Sequence, residues 1–267
     1  MHIVVCMKQV PDTTNVKINP KTNTLMREGV EAIINPFDEY ALEEALKLKD
    51  RFGARVTVVS MGPPQATVVI REALARGADD GALVSSRAFG GADTLATSYT
   101  LAQAIRTVCG GKAPDLVLFG KQAIDGDTAQ VGPGVSEFLD VPLVTYVRQL
   151  DAQADGSNTV RSTMDDGEHV VEGRFPAVMT VLKEASTPRF APLAGWMRAA
   201  KAEIRVLDEK AVKADPALIG LKGSPTKVVR IFPPPVKGGG EKLDCRGDGE
   251  GAARAIARFL QKKGLVK

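Results

Sequence analysis

Residues 120 to 134 read GKQAIDGDTAQVGPG, directly after the apolar run DLVLF. Gly120 and Gly126 permit positive φ or a close backbone approach to a ligand. Asp127 and Thr128 are good helix N-cap residues, so a helix is expected to start there with free N–H groups pointing outward. Such a start is an anion site by hydrogen bonding and dipole together, and a phosphate or pyrophosphate is its natural occupant. Asp93-Thr94 offers a second helix start, with hydroxyls at Thr94 and Thr97. An isolated Gly-Asp-Thr before a helix is equally plain turn-and-cap chemistry, and the loop alone does not choose between the two. The Walker pattern is absent, and KQVPDT stands where a Rossmann GxGxxG would follow a first strand.

Other chemistry is thinly supplied. The 267 residues contain two histidines, His2 and His169, neither in a triad or metal-ligand motif. Cys6, Cys109 and Cys245 are odd in number and widely spaced, which excludes a disulfide framework and a CxxC site and fits a reducing, cytoplasmic compartment. Cys6 reads as a small core residue rather than a nucleophile. A net charge of +3 is too small to point to nucleic acid or an anionic membrane. Aromatic residues are 5%, too few for a base-stacking platform. No apolar run approaches the roughly 20 residues of a membrane span, and MHIVVCMKQV does not read as a signal peptide. Demanding chemistry in this chain would belong to a bound cofactor.

The loop must be held by a scaffold, and the first half supplies one by alternation. Ile3 to Met7, Val56 to Met61, Ala82 to Val84 and Asp115 to Phe119 are buried-strand runs. Between them lie helical patterns over Asp38–Phe52, Gln65–Arg76 and Asp93–Cys109, each stopped by glycine. Val16–Ile18 and Thr24–Met26 suggest a small hairpin. This rhythm predicts an α/β fold with a parallel sheet and helices on both faces. Ligands of such sheets bind at the carboxyl ends of the strands. Four loops leave those ends: Lys8 to Thr14, Gly62-Pro63-Pro64, the segment before Thr94, and Gly120 to Gly134. After Pro142 the pattern turns antiparallel, with turns at Asp155-Gly156 and Asp166-Gly167, before Pro176–Leu182 returns to a buried strand. From Glu184 the apolar periodicity weakens. A helix over Ala191–Ala202, a lone strand over Lys227–Phe232, a Pro/Gly linker and a terminal helix over Ala252–Lys263 are expected. Residues 1–183 thus read as one α/β domain, and 184–267 as an arm that buries its apolar positions on a partner.

The segments VCMKQVPDT (5–13), NPFDEYALEEAL (35–46), VSMGPPQA (59–66), GADTLATSYTLAQAI (91–105), GKQAIDGDTAQVGP (120–133) and EASTPRFAPLAG (184–195) together resemble the β subunit of electron transfer flavoproteins. The resemblance spans nearly the whole chain in order. It implies a Rossmann-like adenine-nucleotide-binding domain followed by an arm that wraps an α subunit, in a heterodimer. Housekeeping members hold AMP in this subunit. Bifurcating members, including a nitrogen-fixation-linked branch, hold FAD there, which takes a hydride from NADH and sends two electrons to different acceptors. With Gly126, Thr128 and Ala129 in DGDTAQVG, the chain resembles the second kind.

By that resemblance, Cys6, Asn35, Pro36, Phe37, Asp38 and Met61 would enclose the adenosine. Gly120, Lys121, Gln122, Ala123, Ile124, Asp125, Gly126, Asp127, Thr128, Ala129, Gln130 and Val131 would wrap ribose and phosphates. None is a general acid or base, and no metal is implied. Leu193, in APLAG, matches a recognition loop whose apolar residue docks on a dehydrogenase; alternatively it packs the arm's own helix. The implied partners are an acyl-CoA dehydrogenase-like or quinone-reductase protein and a ferredoxin or flavodoxin, with no nucleic acid and no membrane span. His169 departs from the Glu or Gln usual in the family near that position, which bears on any α-subunit contact there.

Overall fold

In β1 (His2–Cys6) alternate residues enter two different cores, Ile3 and Val5 on one face of the sheet, Val4 and Cys6 on the other. This is the period of two expected of a strand covered on both faces. The computed structural model describes residues 1–12, 17–19, 24–26, 32–229, 238, 242, 244 and 246–266. β2 (Gln9–Pro11) pairs with β5 (Ala32–Ile34), and β3 (Lys17–Asn19) with β4 (Thr24–Met26), the latter pair being the expected hairpin. α1 (Pro36–Phe52) begins with proline in its first turn and ends at Gly53 in the left-handed conformation. β6 (Arg55–Met61) leads through a short 3-10 turn into α2 (Thr67–Arg76), and β7 (Asp80–Val84) into α3 (Thr94–Val108). β8 (Leu116–Gly120), α4 (Val131–Leu139), β9 (Leu143–Ala152), β10 (Ser157–Met164), β11 (Gly167–Arg174) and β12 (Ala177–Val181) follow.

These strands form a nine-stranded sheet in the order β11-β10-β9-β12-β8-β1-β6-β7-β13. It is parallel from β9 to β13, and β10 and β11 extend it as the antiparallel excursion read from the sequence. Residues of α1 and α2 share a core with one face, and residues of α3 and α4 with the other.

Two elements come from the segment read as an arm. α5 (Leu193–Lys201) packs on α2, with Gly195 so close that a Cβ there would lie 2.0 Å from the Ala75 carbonyl oxygen. The two helices also exchange arginines: Arg71 donates to the Ala199 carbonyl (2.7 Å) and Arg198 to the Leu74 carbonyl (2.8 Å). β13 (Arg205–Leu207), which the sequence pattern does not signal, pairs with β7. Arg189 ties the start of the segment to Glu43 and Asp50 of α1, each at 2.8 Å. The first compact unit therefore runs to Arg230, past the boundary expected at residue 184, and the second covers Ile231–Lys267. Residues 227–229 of the expected lone strand are irregular, and the rest of it, most of the Pro/Gly linker and Cys245 lie outside the described residues. In the second unit, α6 (Gly249–Lys262) is capped by Asp248 and carries Ile256 and Phe259 one turn apart. No helix among the described residues is long and apolar enough to cross a membrane.

Candidate functional site

From β1 the chain winds first toward β6 and β7, then crosses back to β8 and β12. The winding reverses between β1 and β8, and open α/β sheets take ligands in the crevice outside the strand carboxyl ends at such a point. Two segments meet across this crevice: Lys8 after β1 and the loop 121–130 after β8.

Asn35 and Asp38 lace them together. Both are buried, at 1% and 6% exposure. Asn35 spends its amide on the loop rather than on capping α1, donating from Nδ2 to the Gln122 carbonyl (2.8 Å) and accepting from the Ile124 N–H (3.1 Å). Asp38 accepts from the Lys8 N–H (2.7 Å) and the Gly120 N–H (3.2 Å). Burial pushes its carboxyl up to about 7 against the pull of these hydrogen bonds and of the Lys8 charge. Gly120 is required by this crowding: a Cβ there would lie 2.5 Å from Asp38 Oδ1 and from the Phe37 carbonyl carbon. Pro36 opens α1, and half-buried Phe37 follows it. Below them Cys6 and Met61 pack with Phe119 in the core, and burial holds the Cys6 thiol far above its ordinary range, so it is inert.

The loop surface is mostly polar, with Ile124 exposed on it. Lys8 Nζ donates to Asp125 Oδ1 (2.7 Å) and Oδ2 (2.8 Å), and Gln122 Nε2 to Asp127 Oδ1 (2.7 Å). Lys121 Nζ stands 5.6 Å from the Tyr146 ring centroid. The N–H groups of Gly126 and Asp127 both turn back to the Ala123 carbonyl.

The helix start expected at Asp127 and Thr128 lies three residues later. Asp127 (φ 51°) and Ala129 (φ 52°) are left-handed, which interrupts helix, and α4 begins at Val131. Neither Gly126 nor Gly120 has positive φ; two non-glycine residues take that conformation instead. Gln130 stands at the N-cap and its side chain makes no capping bond. Instead its Oε1 accepts from Thr94 Oγ1 at 2.9 Å. The N–H groups of Thr128, Ala129, Gln130, Val131 and Gly132 meet no described acceptor. A Cβ at Gly126 would meet nothing within 4 Å. The donor set is therefore that of an anion site: unengaged N–H groups at an uncapped helix start beside open space.

The neighbouring start of α3 is closed. Asp93 Oδ1 accepts from the Leu95 and Ala96 N–H groups (3.0 and 3.1 Å). Its Oδ2 accepts from the Thr226 N–H (3.0 Å) and hydroxyl (2.8 Å), and the Asp93 N–H donates to Ser224 Oγ (2.8 Å). Thr97, half-buried, directs its N–H to the Asp93 carbonyl. Leu193 is carried by a different element, the first turn of α5, and is 78% exposed, with Phe190 and Met197 also exposed. His169 lies exposed on β11, 3.0 Å from Asp166. Sequence reasoning missed the Lys8–Asp125 pair and the bridging amide of Asn35. The signal available for Lys8 was its place in the first of the four carboxyl-end loops.

By fold this is a Rossmann-like α/β protein with a crevice at its switch point. The electron transfer flavoprotein domain model matches residues 22–212, and the chain belongs to the electron transfer flavoprotein family, among its β subunits. It is 50% identical over 256 residues to "Electron transfer flavoprotein subunit beta" of Megasphaera elsdenii, covering 94% of each chain. It is 48% identical over 263 residues to "Caffeyl-CoA reductase-Etf complex subunit CarD" of Acetobacterium woodii, covering 98% of this chain and 99% of that one. It is 50% identical over 237 residues to "Protein FixA" of Azotobacter vinelandii, covering 88% and 84%.

Proposed function

We propose that this chain is the β subunit of a heterodimeric electron transfer flavoprotein that holds FAD, rather than AMP, in the switch-point crevice and serves NADH-dependent electron bifurcation in the cytoplasm. The observation that carries the reading is the stretch from Gly126 to Gly132, with small residues at 126, 128 and 129, open space at Gly126 and N–H groups from Thr128 to Gly132 that meet no acceptor among the described residues. Such a stretch suits a pyrophosphate continuing beyond an adenosine. The likeness to a subunit named for a caffeyl-CoA reductase–Etf complex supports a reductase as partner.

Bound there, the flavin would supply the redox chemistry, accepting a hydride and releasing electrons singly. The chain's own residues bind and orient. Asn35, Pro36, Phe37 and Asp38, with Cys6 and Met61 beneath, would form the adenosine wall. Residues 120–131, with Thr94 and Thr97 nearby, would hold ribose and phosphates. Leu193, exposed beside Phe190 and Met197, would dock on the electron-accepting dehydrogenase or quinone reductase, and a ferredoxin or flavodoxin would take the low-potential electron.

The test is nucleotide and flavin content of the purified heterodimer, wild type and Gly126→Asp. The expected wild type releases two FAD and no AMP. A carboxylate at Gly126 has room in the bare protein but repels the phosphates, so the variant should fall toward one FAD while still assembling. One FAD plus one AMP in the wild type would replace this reading with that of a housekeeping subunit.

A further inference from the structure

Lys8 and Asp125 are joined across the crevice, one from the end of β1 and the other from the loop after β8, where the sheet's winding reverses. Among the described residues, the Lys8 ammonium has no other acceptor and the Asp125 carboxylate no other donor. The Lys8 backbone is fixed at both ends, its N–H to Asp38 (2.7 Å) and its carbonyl to the Asn35 N–H (2.9 Å). Only its side chain is free to move, and that side chain is 47% exposed. The other cation of the loop, Lys121, lies over Tyr146. Asp125 therefore brings a negative charge to the rim of a site whose donors favour an anion, and Lys8 cancels it.

We propose that this ion pair is an exchangeable gate: Lys8 leaves Asp125 for a phosphate of the entering adenine nucleotide, and Asp125 is the competitor that sets how tightly the phosphate is held. Exposed ion pairs of this kind are weak, so the exchange costs little. A phosphate offers the ammonium a charge-assisted bond in a crevice already lined with N–H donors. Lys8 is thus a specificity-determining residue for phosphorylated ligands, whereas adenosine alone leaves the gate shut. The inference rests on the nucleotide reading above but does not depend on whether FAD or AMP is the occupant.

The test is titration of the nucleotide-stripped heterodimer with FAD, AMP and adenosine, at low and high salt. Lys8→Met should weaken FAD and AMP by roughly tenfold or more, the worth of one hydrogen bond between charged groups. Lys8→Arg should restore most of that affinity. Asp125→Asn should tighten both nucleotides and steepen their salt dependence, because Lys8 is then uncommitted. Adenosine affinity should stay unchanged in Lys8→Met and Lys8→Arg. If Asp125→Asn weakens the nucleotides as Lys8→Met does, or if adenosine falls alongside AMP, the pair merely staples the loop and the exchange is wrong. Which nucleotide copurifies tests the earlier reading separately, and a wild type that binds neither FAD nor AMP would remove both.

Discussion

α3 and α4 pack against each other and begin at the same edge of the sheet, yet their first turns are built in opposite ways. At α3 the carboxylate of Asp93 takes the free N–H groups and the 224–226 segment straps it from outside. At α4 the capping position holds Gln130, whose side chain turns to Thr94, and the N–H groups point at no described acceptor. A helix start that only has to be stable supplies its own anion. On the proposed reading, one left without it keeps its dipole and donors for the nucleotide. The price at α4 is two non-glycine residues in the left-handed region, Asp127 and Ala129.

Removing the internal anion should give the largest effect. Asp93→Ala loses both the α3 cap and the strap, and urea unfolding should show a loss of about 2–3 kcal/mol. Asp93→Asn keeps an oxygen for Leu95 and Ala96 but turns an amide toward the Thr226 donors, so about 1 kcal/mol should go, with hydrogen exchange quickening at residues 219–226.

Giving α4 what α3 already has should sharpen the contrast. Gln130→Asp supplies a cap carboxylate, so the nucleotide-free protein should gain up to about 1 kcal/mol. The same carboxylate would occupy the anion site, and FAD or AMP binding by titration should weaken by roughly tenfold. A variant that bound nucleotide as well as wild type would end the comparison.

The smallest effect is in pH, where two carboxyls of this edge act with opposite sign. Burial raises the Asp93 carboxyl, but the bonds from Ala96, Thr226 and Leu95 outweigh it and hold it below its ordinary value. Its contribution is present above the unfolded value of about 3.9 and fades as pH falls through the lower folded value. Asp38 is raised to about 7, so the folded state binds its proton more tightly. Its contribution is full below about pH 3.9 and is lost as pH rises toward 7. Unfolding midpoints across pH should therefore fall less steeply at low pH in Asp93→Asn and decline less between about 4 and 7 in Asp38→Asn.

The alternating strands and helices were legible because each carries its own signal: continuous apolar runs at VVC, VTVVSM and LVLF, and glycine stops at Gly53 and Gly77. The antiparallel excursion was legible from its Asp-Gly turns. The true start of α4 was not, because the left-handed turns at Asp127 and Ala129 come from the loop's tertiary setting and not from glycine. Asn35 and Asp38 read locally as residues of a helix start, and only the folded chain brings them to Gly120, Gln122 and Ile124. β13 is three residues long and exists because β7 offers it an edge. Strand order, and with it the place where Lys8 meets Asp125, is a global property that no local pattern contains.

That late strand has a consequence for how the protein is made. β7 is synthesised early, but its outer edge stays bare until residues 205–207 arrive to pair with it. During that interval the nascent chain shows a row of unpaired N–H and C=O groups on a strand of apolar sequence, a template for pairing with a neighbouring chain. Once made, β13 covers the β7 edge and leaves only a three-residue edge strand in its place. Chains that stop before it should be lost to self-association even though every residue of the crevice has already been translated.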